Sequence, residues 1–153
     1  MISRPRRSAL FMPGDNARAQ QKATGLPADA IILDLEDAVS PANKASARQQ
    51  VQSTLEQTDY GQREVVVRVN RLETQCGKED LTALASNPPD AILLPKVESA
   101  DELFTATVAL NALGAPSDLA LWAMIETPLG IQHIEEIATA TPRLACVVAG
   151  TAD

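Results

Sequence analysis

Apolar residues along this chain gather into short runs separated by longer mixed stretches. The runs are Ser8 to Met12, Ala30 to Leu35, Glu64 to Val69, Ala91 to Leu94, Leu119 to Ile125 and Leu144 to Val148. Strands buried on both faces read as continuous apolar runs rather than alternating ones, and such strands belong to parallel sheets covered by helices. Three stretches then stop on carboxylates: Asp34, Glu36 and Asp37 after the second run, Glu126 after the fifth, and Asp153 after the sixth. Two others end on cations, Arg68 and Lys96. In a parallel barrel the active site stands at the carboxyl ends of the strands, so the pattern predicts a metal and anion site assembled strand by strand.

The mixed stretches carry helix signals. Pro13-Gly14 turns the chain into a helix that Asp15 or Asn16 caps and that runs to about Thr24. Ser40-Pro41 starts the next, with Val51 and Leu55 on its buried stripe. A short helix is expected from about Asp80 to Ser86, with Leu81, Leu84 and Ala85 on one side, before Asn87-Pro88-Pro89 ends it. Ser99 and Glu102 stand at capping-box spacing, and Phe104, Val108, Leu103 and Leu110 are expected on one broad buried face. Thr127-Pro128 repeats the cap-plus-proline start, with Ile131, Ile134 and Ile137 as the next buried stripe.

Strand and helix therefore alternate in one regular series, and every crossover is long enough for a right-handed parallel connection. The reading is α/β: a (β/α)8 TIM barrel of which the first six or so β/α units are present, as one incomplete domain over residues 1–153. A complete barrel takes about 250 residues, so the chain is expected to be cut from a longer enzyme.

Composition narrows the chemistry. The net charge of −7 is spread through the sequence, and aromatic residues make up only 3%, which disfavours nucleic acid held by bulk charge or base stacking. The basic cluster of Arg4, Arg6 and Arg7 reads as a solvated segment, with Arg7 expected to point into the fold. Cys76 and Cys146 lack metal-motif spacing and read as free thiols in a reducing cytosol. No run approaches the roughly 18 apolar residues of a membrane span, and the start lacks a signal-peptide pattern. A cytoplasmic protein without membrane association is expected.

Glu126 and Asp153 follow successive strands, and two hard oxygen ligands suit Mg²⁺ or Mn²⁺. Glu126 also fits the start of the helix after Thr127, where a carboxylate favours the dipole. Asp34, Glu36 and Asp37 crowd together at a cost that a nearby cation relieves. Alternation sends Asp34 and Glu36 to one side, Leu35 and Asp37 to the other. Arg68 either grips a substrate carboxylate or forms an internal ion pair with Glu36 or Asp37. Lys96 is a rim cation, a Schiff-base amine, or an ion-pair partner of Glu98 or the early acids. Glu36, Asp37 and Lys96 together are expected to stand behind the ligands, orienting water on the metal or pairing with one another. His133, the lone histidine, is placed on the barrel exterior. No nucleophile elbow or glycine-rich phosphate loop is present.

Six marks in order resemble the citrate lyase beta subunit-like group of the HpcH/HpaI aldolase superfamily, which includes citryl-CoA, malyl-CoA and citramalyl-CoA lyases. They are Arg7-Ser8 with Leu10-Phe11 and Pro13-Gly14, Leu33-Asp34-Leu35-Glu36-Asp37, Val67-Arg68-Val69-Asn70, Leu94-Pro95-Lys96-Val97-Glu98, Ile125-Glu126-Thr127-Pro128, and Gly150-Thr151-Ala152-Asp153. The resemblance implies a barrel assembled as a homo-oligomer, a trimer or larger, with Mg²⁺ on Glu126 and Asp153 and the substrate carboxylate on Arg68. It also puts Phe11 and Lys22 near a coenzyme A thioester arm, with an acyl carrier protein as the other source of that arm. A late carboxylate that serves relatives as a base has no counterpart in these residues. The activity it implies is Mg²⁺-dependent carbon–carbon cleavage of a 3-hydroxy-3-carboxyacyl-CoA thioester, with Arg68 and Glu126 as the catalytic pair. The alternatives are a class II aldolase on free 2-oxo acids, and a non-catalytic carrier or assembly subunit.

Overall fold

The structure, a computed structural model, describes residues 6–150. Six parallel strands form one sheet in sequence order: β1 Ala9–Pro13, β2 Ala30–Asp34, β3 Glu64–Arg68, β4 Ala91–Leu94, β5 Ala120–Ile125 and β6 Leu144–Ala149. Each strand pairs in parallel with the one before it. The helices between them are α1 Ala17–Ala23, α2 Lys44–Gln57, α3 Gln75–Ser86, α4 Ala100–Ala112, α5 Pro128–Gln132 and α6 Ile134–Ala138. This is the wall of a β/α barrel, six strands of it, as the alternation predicts. Asp153, the second expected metal ligand, lies outside the described residues. No helix among them is long and apolar enough to cross a membrane.

Every residue of β2 and β4 is buried, because one face meets helices and the other meets the inside of the wall. On the helix side Ile31, Leu33, Val67, Ile92, Leu121 and Ala123 pack against Val51, Leu84, Leu103 and Ile137. On the inner side Ala30, Ile32, Val66, Ala91, Leu93, Trp122 and Met124 form a smaller cluster. The inner-facing phase of β2 and β3 continues upward into Asp34 and Arg68, which stand opposite one another in the pairing register.

Strand boundaries fall within a residue of those read from the sequence, while several helix details differ. α3 begins at Gln75, not near Asp80: Thr74 caps it by accepting from Gly77 N at 3.0 Å. Gly77 is required there, since a Cβ would stand 2.1 Å from the Arg71 carbonyl oxygen. Ser40-Pro41 opens a short 3-10 turn, Pro41–Asn43, ahead of α2. On α4 the sheet takes Leu103, Ala106 and Leu110, and leaves Phe104 and Val108 61% and 50% exposed. Successive residues on a helix are turned by about 100°, so the two apolar lines face different ways and only one meets the sheet. The expected stripe after Thr127 is likewise broken at His133, which ends α5 and starts α6. Ile137 is buried, but Ile131 and Ile134 are exposed. His133 is on the helical exterior, its Nδ1 2.7 Å from the Glu98 carbonyl oxygen.

At the start of the chain the expectation for Arg7 is reversed. Arg7 is exposed and pairs with Asp29 at 2.8 Å. Arg6 turns inward, donating to both oxygens of buried Glu64 at 2.7 and 2.9 Å with its guanidinium 5.0 Å from the Trp122 ring centroid. Strict alternation counted back from Ala9 and Phe11, which pair with inner-facing Ala30 and Ile32, gives Arg7 the inner phase; the chain bends at Arg7 ahead of β1, and past that bend it is Arg6 that reaches the inside of the wall. Both cysteines are free.

Candidate active site

The carboxyl ends of β2 to β5 carry one connected cluster. Arg68 Nε and Nη2 donate to Asp34 Oδ1 and Oδ2, each at 2.7 Å. Arg68 Nη1 lies 3.2 Å from Glu36 Oε2 and 3.7 Å from Asp37 Oδ2. Lys96 Nζ is 3.0 Å from Glu36 Oε1 and 3.5 Å from Asp37 Oδ2. The backbone N–H of Lys96 donates to Glu126 Oε1 at 2.9 Å. Arg68 Nη1 also lies 3.8 Å from Met124 Sδ, two residues before Glu126 on β5. The structure thus joins Glu36, Asp37, Arg68, Lys96 and Glu126 through direct contacts.

The internal partners named for Arg68, Glu36 and Asp37, are present, but the strongest is Asp34. Alternation does place Asp34 and Glu36 on one side with Leu35 buried on the other. Asp37 rejoins the cluster because the chain has left the strand by then. Asp34 shapes that turn itself, accepting from Glu36 N at 2.9 Å and Ala38 N at 3.0 Å. Lys44 Nζ clamps the same loop from outside through the carbonyls of Leu35 and Glu36, at 2.7 and 2.6 Å. Asn70 Nδ2 donates to the Leu35 carbonyl and to fully buried Asp80, which in turn accepts from Arg48 Nε. Lys44, Asn70 and Asp80 were not singled out from the sequence for the site. Asp80 had a signal, a carboxylate on the buried side of a helix next to Leu81 and Leu84.

Burial pushes the Asp34 carboxyl up, but the Arg68 hydrogen bonds and charge with two backbone N–H groups outweigh it and leave it below the usual range. Glu36 goes the other way. Burial raises its carboxyl, Asp37 adds to the rise, and the Lys96 hydrogen bond and Arg68 charge only partly offset it. Glu36 Oε2 is buried without a hydrogen-bond partner, so its 3.2 Å approach to Arg68 is a contact of charge alone. Arg68 is held above its usual value: burial opposes its charge, and Asp34 more than restores it.

Phe11 lies on the inner face of β1 beneath this cluster, its ring centroid 5.1 Å from the Arg68 guanidinium carbon, a cation–π distance. Lys22 is exposed on α1 and takes no part in the ion pairs. Among the described residues no three His, Cys, Asp or Glu side chains surround one metal position. The described residues nonetheless fit a hard divalent cation. Glu126 has one oxygen held by Lys96, and the other lies beside Gly150, where a Cβ would come within 2.8 Å of Oε2. Three carboxylates of the cluster, Asp34, Glu36 and Asp37, face the Arg68 and Lys96 cations, while Glu126 meets the Lys96 backbone N–H, so acids outnumber cations on this rim and a divalent ion would balance the excess.

A family profile described as HpcH/HpaI aldolase/citrate lyase matches residues 7–153. A (3S)-malyl-CoA thioesterase of Cereibacter sphaeroides (strain ATCC 17023) is 50% identical over 149 residues, covering 97% of this chain and 50% of the relative. The citrate lyase subunit beta of Escherichia coli K12 is 38% identical over 156 residues, covering 99% and 52%. The crystal structure of protein CitE from Mycobacterium tuberculosis in complex with magnesium, acetoacetate and coenzyme A superposes with a TM-score of 0.68 at 31% identity, covering 95% of this chain and 49% of that one. The chain spans about half the length of the curated relatives it matches.

Proposed function

The chain belongs to the HpcH/HpaI aldolase/citrate lyase family, and from that membership we propose that its rim is the acid- and metal-binding part of a Mg²⁺-dependent carbon–carbon lyase. The substrate is a 3-hydroxy-3-carboxyacyl thioester of coenzyme A, of the citryl, citramalyl or malyl type, or the matching acyl carrier protein thioester. The observation that carries the reading is the contact path from Arg68 through Glu36 and Lys96 to Glu126. It brings a guanidinium and a carboxylate onto one rim, which supports reading them as an anion clamp and a hard oxygen ligand.

Glu126, with Asp153, would hold Mg²⁺ or Mn²⁺, which supplies a Lewis acid for the substrate's oxygen as it becomes a ketone. Arg68 binds the carboxylate of the fragment that leaves as a 2-oxo acid. Asp34 fixes two of its nitrogens, so Nη1 is the one that addresses the hollow, and the reacting bond is oriented before cleavage. The hydroxyl proton departs, the bond to the carbon next to the thioester breaks, and that carbon keeps the electron pair and takes up a proton. The products are a 2-oxo acid and an acyl-CoA. Phe11 backs the guanidinium, and the thioester arm passes over this open side, toward the edge where α1 carries Lys22. The same proposal takes over from the sequence reading a homo-oligomer, a trimer foremost, acting in the cytoplasm.

The similarity to malyl-CoA thioesterases favours a second reading, in which water attacks the thioester carbonyl and releases free coenzyme A and a dicarboxylic acid. Supplying malyl-, citramalyl- and citryl-CoA with Mg²⁺ separates the two. Release of 2-oxo acid with no free thiol supports the lyase. Free thiol without 2-oxo acid supports the hydrolase, and neither product from any substrate overturns both.

A further inference from the structure

Lys96 is the one non-glycine residue with positive φ among the described residues, at 49°. That left-handed conformation is uncommon for side chains other than those of Asn and Asp, and it is kept where the surroundings demand it. Here the demand is visible on both sides. Val97 N donates to the Met124 carbonyl at 3.0 Å, and the Val97 carbonyl oxygen occupies the space in which a Cβ on Gly130 would stand, 2.4 Å away. Glycine would adopt this backbone at position 96 without strain. A lysine there points to a use for its ammonium.

Resting on the lyase reading of the rim, we propose that Lys96 is a positioning residue that ties the metal-binding carboxylate to the anion clamp. Its amide holds Glu126 Oε1 and leaves the other oxygen beside Gly150, where the lyase reading would put the metal. Its ammonium holds Glu36 Oε1 and approaches Asp37. Both acids also face Arg68 Nη1. By taking a share of their charge, Lys96 keeps Arg68 available to a substrate carboxylate that must otherwise compete with Glu36. One residue thus serves two strands, its amide toward β5 and its side chain toward the loop after β2.

The two functions separate by substitution. Lys96→Met removes the ammonium and keeps the amide; Lys96→Gly does the same and also relieves the backbone. Mn²⁺ binding, followed by electron paramagnetic resonance, is expected to change less than about threefold in both variants, because the amide that holds Glu126 is kept, while pyruvate binding to the Mn²⁺ form weakens about tenfold, the scale of one lost charge-assisted interaction. Lys96→Gly is expected to melt above Lys96→Met, and Lys96→Arg to recover most of the pyruvate affinity. Unchanged pyruvate binding in Lys96→Met overturns the assignment. So does a parallel fall of Mn²⁺ affinity, pyruvate affinity and melting temperature in both variants, which is the mark of a purely structural lysine. If the unsubstituted protein binds neither probe, the lyase reading falls and this proposal with it; if it binds both and Lys96→Met matches it, only the role of Lys96 is lost.

Discussion

Asp34 and Arg68 meet at two points across neighbouring strands, Oδ1 to Nε and Oδ2 to Nη2, both at 2.7 Å, from positions that are partners in the β2–β3 register. Two parallel strands with the same inner phase leave a carboxylate and a guanidinium no other direction. The fork geometry suits a bidentate pair, and both side chains are more than nine-tenths buried.

Asp34→Ala is expected to destabilise the protein by about 3–5 kcal/mol, the scale for leaving one partner of a buried pair uncompensated. Urea unfolding measures it. Asp34→Leu combined with Arg68→Met is expected to recover most of that loss, since neither charge is then stranded. The Asp34 carboxyl lies lower folded than unfolded, so its contribution is complete above the ordinary carboxylate range and fades as pH falls through its depressed one.

Gly150 is expected to tolerate no side chain. An alanine Cβ would stand 2.6 Å from Glu126 Cβ and 2.8 Å from Oε2, so Glu126 must turn away from the position proposed for the metal. Gly150→Ala should weaken Mn²⁺ binding by about tenfold or more, the effect expected from displacing a ligand's support. Titration with Mn²⁺ at constant pH checks this, and circular dichroism confirms that the fold is kept.

At the surface, the Arg7 guanidinium hydrogen-bonds Asp29 and holds its carboxyl at about 2. Because this value lies below the unfolded one, the pair helps folding above the unfolded range and the help is lost as pH drops through about 2. Carbon-detected NMR should show Asp29 titrating near that value, and Arg7→Ala should return it toward about 3.9. Molar salt should reduce the shift, since the Arg7 side chain of the pair is exposed.

Substitutions on α4 distinguish its two apolar lines. Leu103→Ala is expected to cost about 2–5 kcal/mol, as for a fully buried leucine. Phe104→Ser and Val108→Ser, on the exposed line, are expected to stay within about 0.5 kcal/mol of the parent protein. Thermal and urea unfolding of the three variants make the comparison.

Strand positions, their parallel sense and the rim location of Glu36, Arg68, Lys96 and Glu126 were legible in the order of residues, because a strand buried on both faces must be apolar throughout and its polar residues can appear only where it ends. The alternation in Leu33-Asp34-Leu35-Glu36 also shows which acids share a side. Which cation meets which acid was not legible. That Arg68 takes Asp34 before Glu36 follows from the β2–β3 register, and that Lys96 reaches two carboxylates follows from a left-handed turn whose room is made by Gly130, far along the chain. The same holds for Phe104 against Leu103, and for Arg6 against Arg7. Local periodicity says that an apolar or charged side exists. Only the packed sheet says which of two neighbouring lines it accepts, because burial is a property of the neighbour and not of the residue.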